Sequence, residues 1–138
     1  MEVRTSAMVE FPVQPEPGET VRVIYSDAVT DVIASAAGSC TESMTSYTPY
    51  KSGNQARVNG SFMRSTGCSA SKGARVALYR STLQAKRDST VSNNGYTVSW
   101  GIGKDCYAND NASWSGKSIW ISGGATSGPS ATLPCRLF

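Results

Sequence analysis

Residues 55–81, QARVNGSFMRSTGCSASKGARVALYRS, hold two stretches in which apolar and polar side chains alternate, joined by a Ser/Gly/Thr-rich connection that carries Cys68. In the first stretch Ala56, Val58, Gly60 and Phe62 share one side, and Arg57, Asn59, Ser61 and Met63 the other. In the second, Ala74, Val76 and Leu78 oppose Arg75, Ala77 and Tyr79. Successive residues of a strand point to opposite faces, so the pattern predicts two strands, each with one buried face. Paired antiparallel about the connection at 65–73, they would set Phe62 opposite Val76 and Gly60 opposite Leu78. The polar face would then carry Arg57, Arg75 and Tyr79, with Lys72 in the adjacent loop. A one-residue slip would turn the arginines into the core, so the facing of the side chains is strongly specified.

The rest of the chain extends this reading. A chain of 138 residues is expected to form one domain, residues 1–138, burying about two-thirds of its unfolded surface. Leucine occurs only at Leu78, Leu83, Leu133 and Leu137, while Val, Thr, Ser, Tyr and Trp are used freely, a balance that favours strands over helices. Val3, Ala7, Val9, Phe11 and Val13 alternate with polar residues, predicting a first strand over Glu2–Val13 whose Pro12 places its end at a sheet edge. Pro17-Gly18 marks a turn, and Thr20–Tyr25 a second strand. Val29, Val32, Ile33, Ala36 and Ala37 recur at helical spacing between a capping Ser26 or Asp27 and Gly38, which predicts a short helix near 27–37; a strand through Val29–Ala34 competes with it.

Cys40–Tyr50 reads as a strand broken at Pro49. Asn93-Asn94-Gly95 predicts a two-residue hairpin, with Tyr96, Val98 and Trp100 lining the strand that follows. Asp105–Ser113 reads as an Asx-rich loop. Lys117–Ser122 reads as a strand with Ile119 and Ile121 inward and Trp120 outward, and Ala131–Cys135 as a last strand. Eight or nine short strands at such spacing predict an all-β fold, an antiparallel β-sandwich. The Pro/Gly-punctuated N-terminal strands resemble those of immunoglobulin-like modules in pattern, although the Cys…Trp…Cys spacing of true immunoglobulin domains is absent.

Cys40, Cys68, Cys106 and Cys135 contain no C-x-x-C pair, which argues against a zinc ribbon or a thioredoxin-type site. Widely spread cysteines in a small β-rich chain predict two disulfides and an oxidising compartment. Of the three pairings, Cys40–Cys68 with Cys106–Cys135 is favoured because each joins segments near in sequence. The first thirty residues show no basic region followed by an apolar run, so a secreted protein is expected either to be met here in its mature form or to be released by another route, such as lysis of a host cell. No apolar stretch approaches the roughly 18 residues of a membrane-spanning helix.

Histidine is absent, which excludes Ser–His–Asp and Cys–His devices. Ser69-Ala70-Ser71-Lys72 matches S-x-x-K but lies in a polar turn rather than opening a buried helix. Gly116-Lys117-Ser118 resembles the end of a phosphate-binding loop, yet Asn111 stands where the first glycine is needed. Asp105, Asn109, Asp110 and Asn111 miss the spacing of a calcium loop. The expectation is no enzymatic activity, no cofactor and no metal. Asn59-Gly60-Ser61 and Asn111-Ala112-Ser113 are sequons, relevant only in a eukaryotic secretory pathway.

Charge gives the positive lead. Residues 1–39 hold six acids and two bases, net −4, and residues 40–138 four acids and eleven bases, net +7. Between Ser43 and Arg87 there are eight bases and no acid, a block able to attract an anionic partner. The expected function is that of a secreted or surface-exposed binding module, for instance a toxin-accessory or adhesion component. Its expected site is Arg57, Lys72, Arg75 and Tyr79, and its partner another protein or an acidic polymer, with nucleic acid less favoured. Two alternatives stand beside it. One is a structural subunit of a virion or filament that self-assembles through the N-terminal strand. The other is a carbohydrate-binding module using Trp114 and Trp120, with Trp100 in the core.

Overall fold

The computed structural model describes residues 11–137. The strand expected over Glu2–Val13 lies outside them except for its last three residues, which are irregular. The strands are β1 (Thr20–Ile24), β2 (Ala28–Ala34), β3 (Thr41–Tyr47), β4 (Tyr50–Ser52), β5 (Gln55–Arg64), β6 (Ser71–Arg80), β7 (Thr82–Ser92), β8 (Val98–Asp105), β9 (Ala108–Trp120), β10 (Ala125–Ser127) and β11 (Ala131–Arg136). They form two antiparallel sheets packed as a sandwich. The first holds β1, β2, β3, β4, β5 and β8; the second holds β7, β6, β9, β10 and β11. Both cystines pair as expected, Cys40–Cys68 and Cys106–Cys135.

β5 and β6 alternate as the sequence predicts, with Ala56, Val58, Gly60, Phe62, Ala74, Val76 and Leu78 all buried. Their partnership differs from the expectation. β5 pairs with β3, β4 and β8, whereas β6 pairs with β7 and β9. The two strands lie in different sheets and meet face to face. Pairing them edge to edge would leave both apolar faces on one side of a single sheet; folding one over the other buries each against its mate. Alternation is identical in the two arrangements, so it could not choose between them.

Phe62 stands at the centre of the core, stacked on Trp100 at 4.8 Å between ring centroids and edge-on to Trp120 at 5.1 Å. Beside it the sheets approach so closely that a Cβ on Gly60 would run into Ser118 and Val76, and one on Gly116 into Val58. Ser118 uses this approach to donate its hydroxyl to the Thr45 carbonyl at 2.7 Å, tying β9 to β3 across the sandwich.

Three local expectations are corrected. The helix near 27–37 gives way to the strand that competed with it, here β2, held between β1 and β3 along its length. Ladders on both sides and four β-branched residues, Val29, Thr30, Val32 and Ile33, outweigh a helical spacing that rests partly on alanines. Asn93-Asn94-Gly95 makes a turn with positive φ at Gly95, but it carries the chain from one sheet to the other and closes no hairpin. Gly95 N–H bonds to Arg64 O and the Asn93 amide donates to Cys68 O, which fixes the crossing. The Asx-rich segment 105–113 mostly belongs to β9, the longest strand, where Arg136 pairs with Asp110 and Lys51 donates to Asn109.

Candidate functional site

The outer face of the second sheet follows from register, since directly opposed residues of an antiparallel pair point to the same side. Ala77 of β6 lies opposite Lys86 of β7 and Lys117 of β9; Arg75 opposite Asp88 and Ile119; Tyr79 opposite Leu83 and Ser115. Ala77 is 0% exposed although it faces outward. The long side chains around it cover its methyl group with their apolar stems and present their charged heads to water.

Arg75 is neutralised in place. Its Nε and Nη2 donate to the two carboxylate oxygens of Asp88 at 2.7 and 3.0 Å. These bonds, with the charges of Arg75 and Lys86, hold the Asp88 carboxyl below its ordinary pKa. Lys117 Nζ sits 5.0 Å from the centroid of the Tyr79 ring, a cation–π arrangement that orients both. The positive charge of this face therefore rests chiefly on Lys86 and Lys117. Two exposed apolar side chains flank them, Leu83 at one end and Ile121 at the other. Ile121 leans over Gly73, where a Cβ would stand 3.2 Å from its Cδ1.

Of the residues expected at the site, Arg75 and Tyr79 share this face and the others do not. Arg57 is on the outer face of the first sheet, on the far side of the sandwich, because β5 does not pair with β6. Lys72 lies opposite buried Val91 and points between the sheets, its Nζ 2.9 Å from Glu42 Oε1 and 4.7 Å from the Trp120 centroid. Trp114 and Trp120, expected on the exterior, are each 1% exposed. The inward set of β9 is Ala112, Trp114, Gly116, Ser118 and Trp120, so Ile119 and Ile121 face out, one residue out of phase with the expectation. Ile-Trp-Ile is apolar on both faces and reads either way; the spacing of Trp114 and Trp120 by six residues, one face of a strand, was the signal that could settle it. Lys86 and Lys117 were missed because they belong to this face only through pairing with β6.

Beneath the face, Glu42 gathers two cations, Arg64 buried and Lys72 half-buried. Arg64, 2% exposed, donates its Nε to Glu42 Oε2 at 2.7 Å, its Nη1 to the carbonyls of Ser69 and Val91, and its Nη2 to the Ser69 hydroxyl. Ser69 and Lys72 of the S-x-x-K match are thus each engaged by a charged partner other than the other. Cys40, Glu42 and Cys68 bring potential ligand atoms within 4.8 Å of one another, but the sulfurs are bonded together and the carboxylate holds Arg64 and Lys72. That leaves no donor set for a cation there.

Fold and face together define a disulfide-stapled antiparallel β-sandwich with a basic outer sheet face. No known protein-family model matches the chain, and no curated protein is similar to it at a significant level.

Proposed function

We propose that this domain is a non-enzymatic binding module, secreted or displayed at a surface, that holds an acidic protein partner against the outer face of the second sheet. The observation that carries the reading is the row Lys86–Ala77–Lys117, two lysines on a rigid three-strand platform with no acid between them. Tyr79, Leu83 and Ile121 supply aromatic and apolar contact around the charges, which favours a folded protein surface over a plain polyanion. The two cystines support work in an oxidising compartment. Assembly by strand addition at the β7 edge is disfavoured, because Arg87 projects from that edge on the side of buried Val76 and its carbonyl is taken by Trp100 Nε1 at 2.9 Å.

Labelled polyglutamate probes the charge component of this recognition. It should bind the parent at low salt and weaken as ions screen the surface over about 8 Å at physiological strength. Lys86→Glu/Lys117→Glu should abolish that binding without moving the melting midpoint. Unchanged binding by the double variant would sink the proposal, and preference for a single-stranded oligonucleotide of equal charge would reassign the partner to nucleic acid.

A further inference from the structure

The outer face of the first sheet gathers a different set of side chains at the end where β1 turns into β2. Tyr47 lies opposite Ala28, and the Tyr25 N–H donates to the Ala28 carbonyl at 2.8 Å, which sets both residues beside this alanine. Thr48-Pro49 ends β3 and restarts the chain as β4, whose Tyr50 lies opposite Arg57 on the same face. Three tyrosines thus converge from three segments, and Tyr50 is 38% exposed. Tyr47 Oη accepts from Ser61 Oγ at 3.0 Å, and Tyr50 Oη from the Asn59 amide at 3.4 Å. Each phenol is used here as an acceptor and keeps its own proton to donate.

Arg57 is aimed rather than loose. Its Nη1 donates to Gln55 Oε1 at 2.7 Å, and Gln55 Nε2 donates to Asp105 Oδ1 at 2.9 Å. The opposing residue, Gly103, leaves room for this: a Cβ there would lie 2.7 Å from both Arg57 Nη1 and Gln55 Oε1. Arg22, Arg64, Arg75 and Arg136 each pair with a carboxylate, whereas Arg57 has none within ion-pair distance among the described residues. Most of its five N–H donors remain free in a fixed fork.

We infer that Tyr25, Tyr47, Tyr50, Arg57 and Asn59 form a binding site for a carboxylated saccharide, a uronate. Aromatic faces suit the C–H face of a pyranose ring, the phenols and the Asn59 amide suit its hydroxyls, and the guanidinium fork matches a carboxylate in both charge and shape. The complementarity of charge separates a uronate from a neutral sugar. This site shares no residue with the basic face of the second sheet and stands or falls separately from it.

The test titrates the full chain at physiological salt with digalacturonate, and with cellobiose as the neutral counterpart, following backbone amide shifts. Digalacturonate should move the amides of Tyr50, Arg57, Asn59 and Gly101, which lies opposite Asn59 on β8, and cellobiose should bind more weakly. Arg57→Gln and Tyr50→Ala should each weaken digalacturonate binding by about tenfold, the scale of one charged hydrogen bond. Lys86→Glu/Lys117→Glu should bind it as the parent does. If Tyr50→Ala lowers the melting midpoint, Arg57→Gln, whose side chain lies on the exterior, carries the test. Absence of shifts at millimolar digalacturonate, equal binding of both sugars, or loss of binding in the lysine double variant alone would overturn the inference.

Discussion

Two clusters of cations, alike in the sequence, have opposite roles in the fold. Arg64 and Lys72 lie between the sheets on one carboxylate, Glu42, and link β3, β5, β6 and β7. Lys86 and Lys117 lie outside, flanking Ala77, with no carboxylate in ion-pair distance among the described residues. Arg64, Lys72 and Lys86 all belong to the acid-free run before Asp88. A run of positive charge along the chain is therefore not a patch on the surface. Burial makes the first cluster a matter of stability; exposure leaves the second free for the encounter with a partner proposed above.

The difference should be largest on removing one member of the buried set. Glu42→Ala leaves Arg64 enclosed without its carboxylate and should destabilise the domain by about 3–5 kcal/mol, read as a lowered urea midpoint. Lys86→Ala or Lys117→Ala should stay within about 0.5 kcal/mol of the parent. Equal effects from the two clusters would erase the distinction. Replacing Cys40 and Cys68 by alanine, next to the Glu42 cluster, should cost about 3 kcal/mol. Combined with Glu42→Ala it should cost less than the sum, because the sites are in contact.

Asp31 and Arg22 form an intermediate case, with side-chain exposures of 7% and 54%. Burial alone would raise the Asp31 carboxyl, but hydrogen bonds from Arg22 and Thr126 and the Arg22 charge outweigh it and hold the pKa below the ordinary 3.8. A pKa depressed in the folded state stabilises above the unfolded value, and that contribution disappears as pH falls through the folded value. Thr126→Val removes the bond between Thr126 Oγ1 and Asp31 Oδ2 and should cost about 1–2 kcal/mol at neutral pH. The deficit should shrink as acid protonates Asp31. A deficit independent of pH down to unfolding would show that the threonine acts by packing alone.

How much of this was legible follows from where the information sits. Facing was readable in β5 and β6, since a period of two is set by residues close in sequence. The cystine pairing was readable for the same reason. Partnership was not: the turn before Gly95 carries hairpin chemistry and yet crosses between sheets, and β5 and β6 look like a hairpin and yet oppose each other. The phase of β9 was ambiguous wherever apolar residues fall on both faces, as at Ile119, Trp120 and Ile121. The candidate face needed partnership above all, because Lys86 and Lys117 meet only across β6.

The smallest predicted effect is on the face itself. Asp88→Asn should leave stability unchanged, since the Arg75 pair is exposed, and should tighten polyglutamate binding by removing the negative charge beside Lys86. Weaker binding by this variant would mean that Arg75 must be held in place to contribute.

The most direct test of the division between the clusters is to map where an acidic peptide lands, by amide hydrogen exchange of the parent with and without polyglutamate. The account predicts added protection on β6 around Arg75–Tyr79 and on the facing stretches of β7 and β9, with β5 and the Glu42 network unchanged. Protection confined to the first sheet, or spread over the whole sandwich, would contradict it.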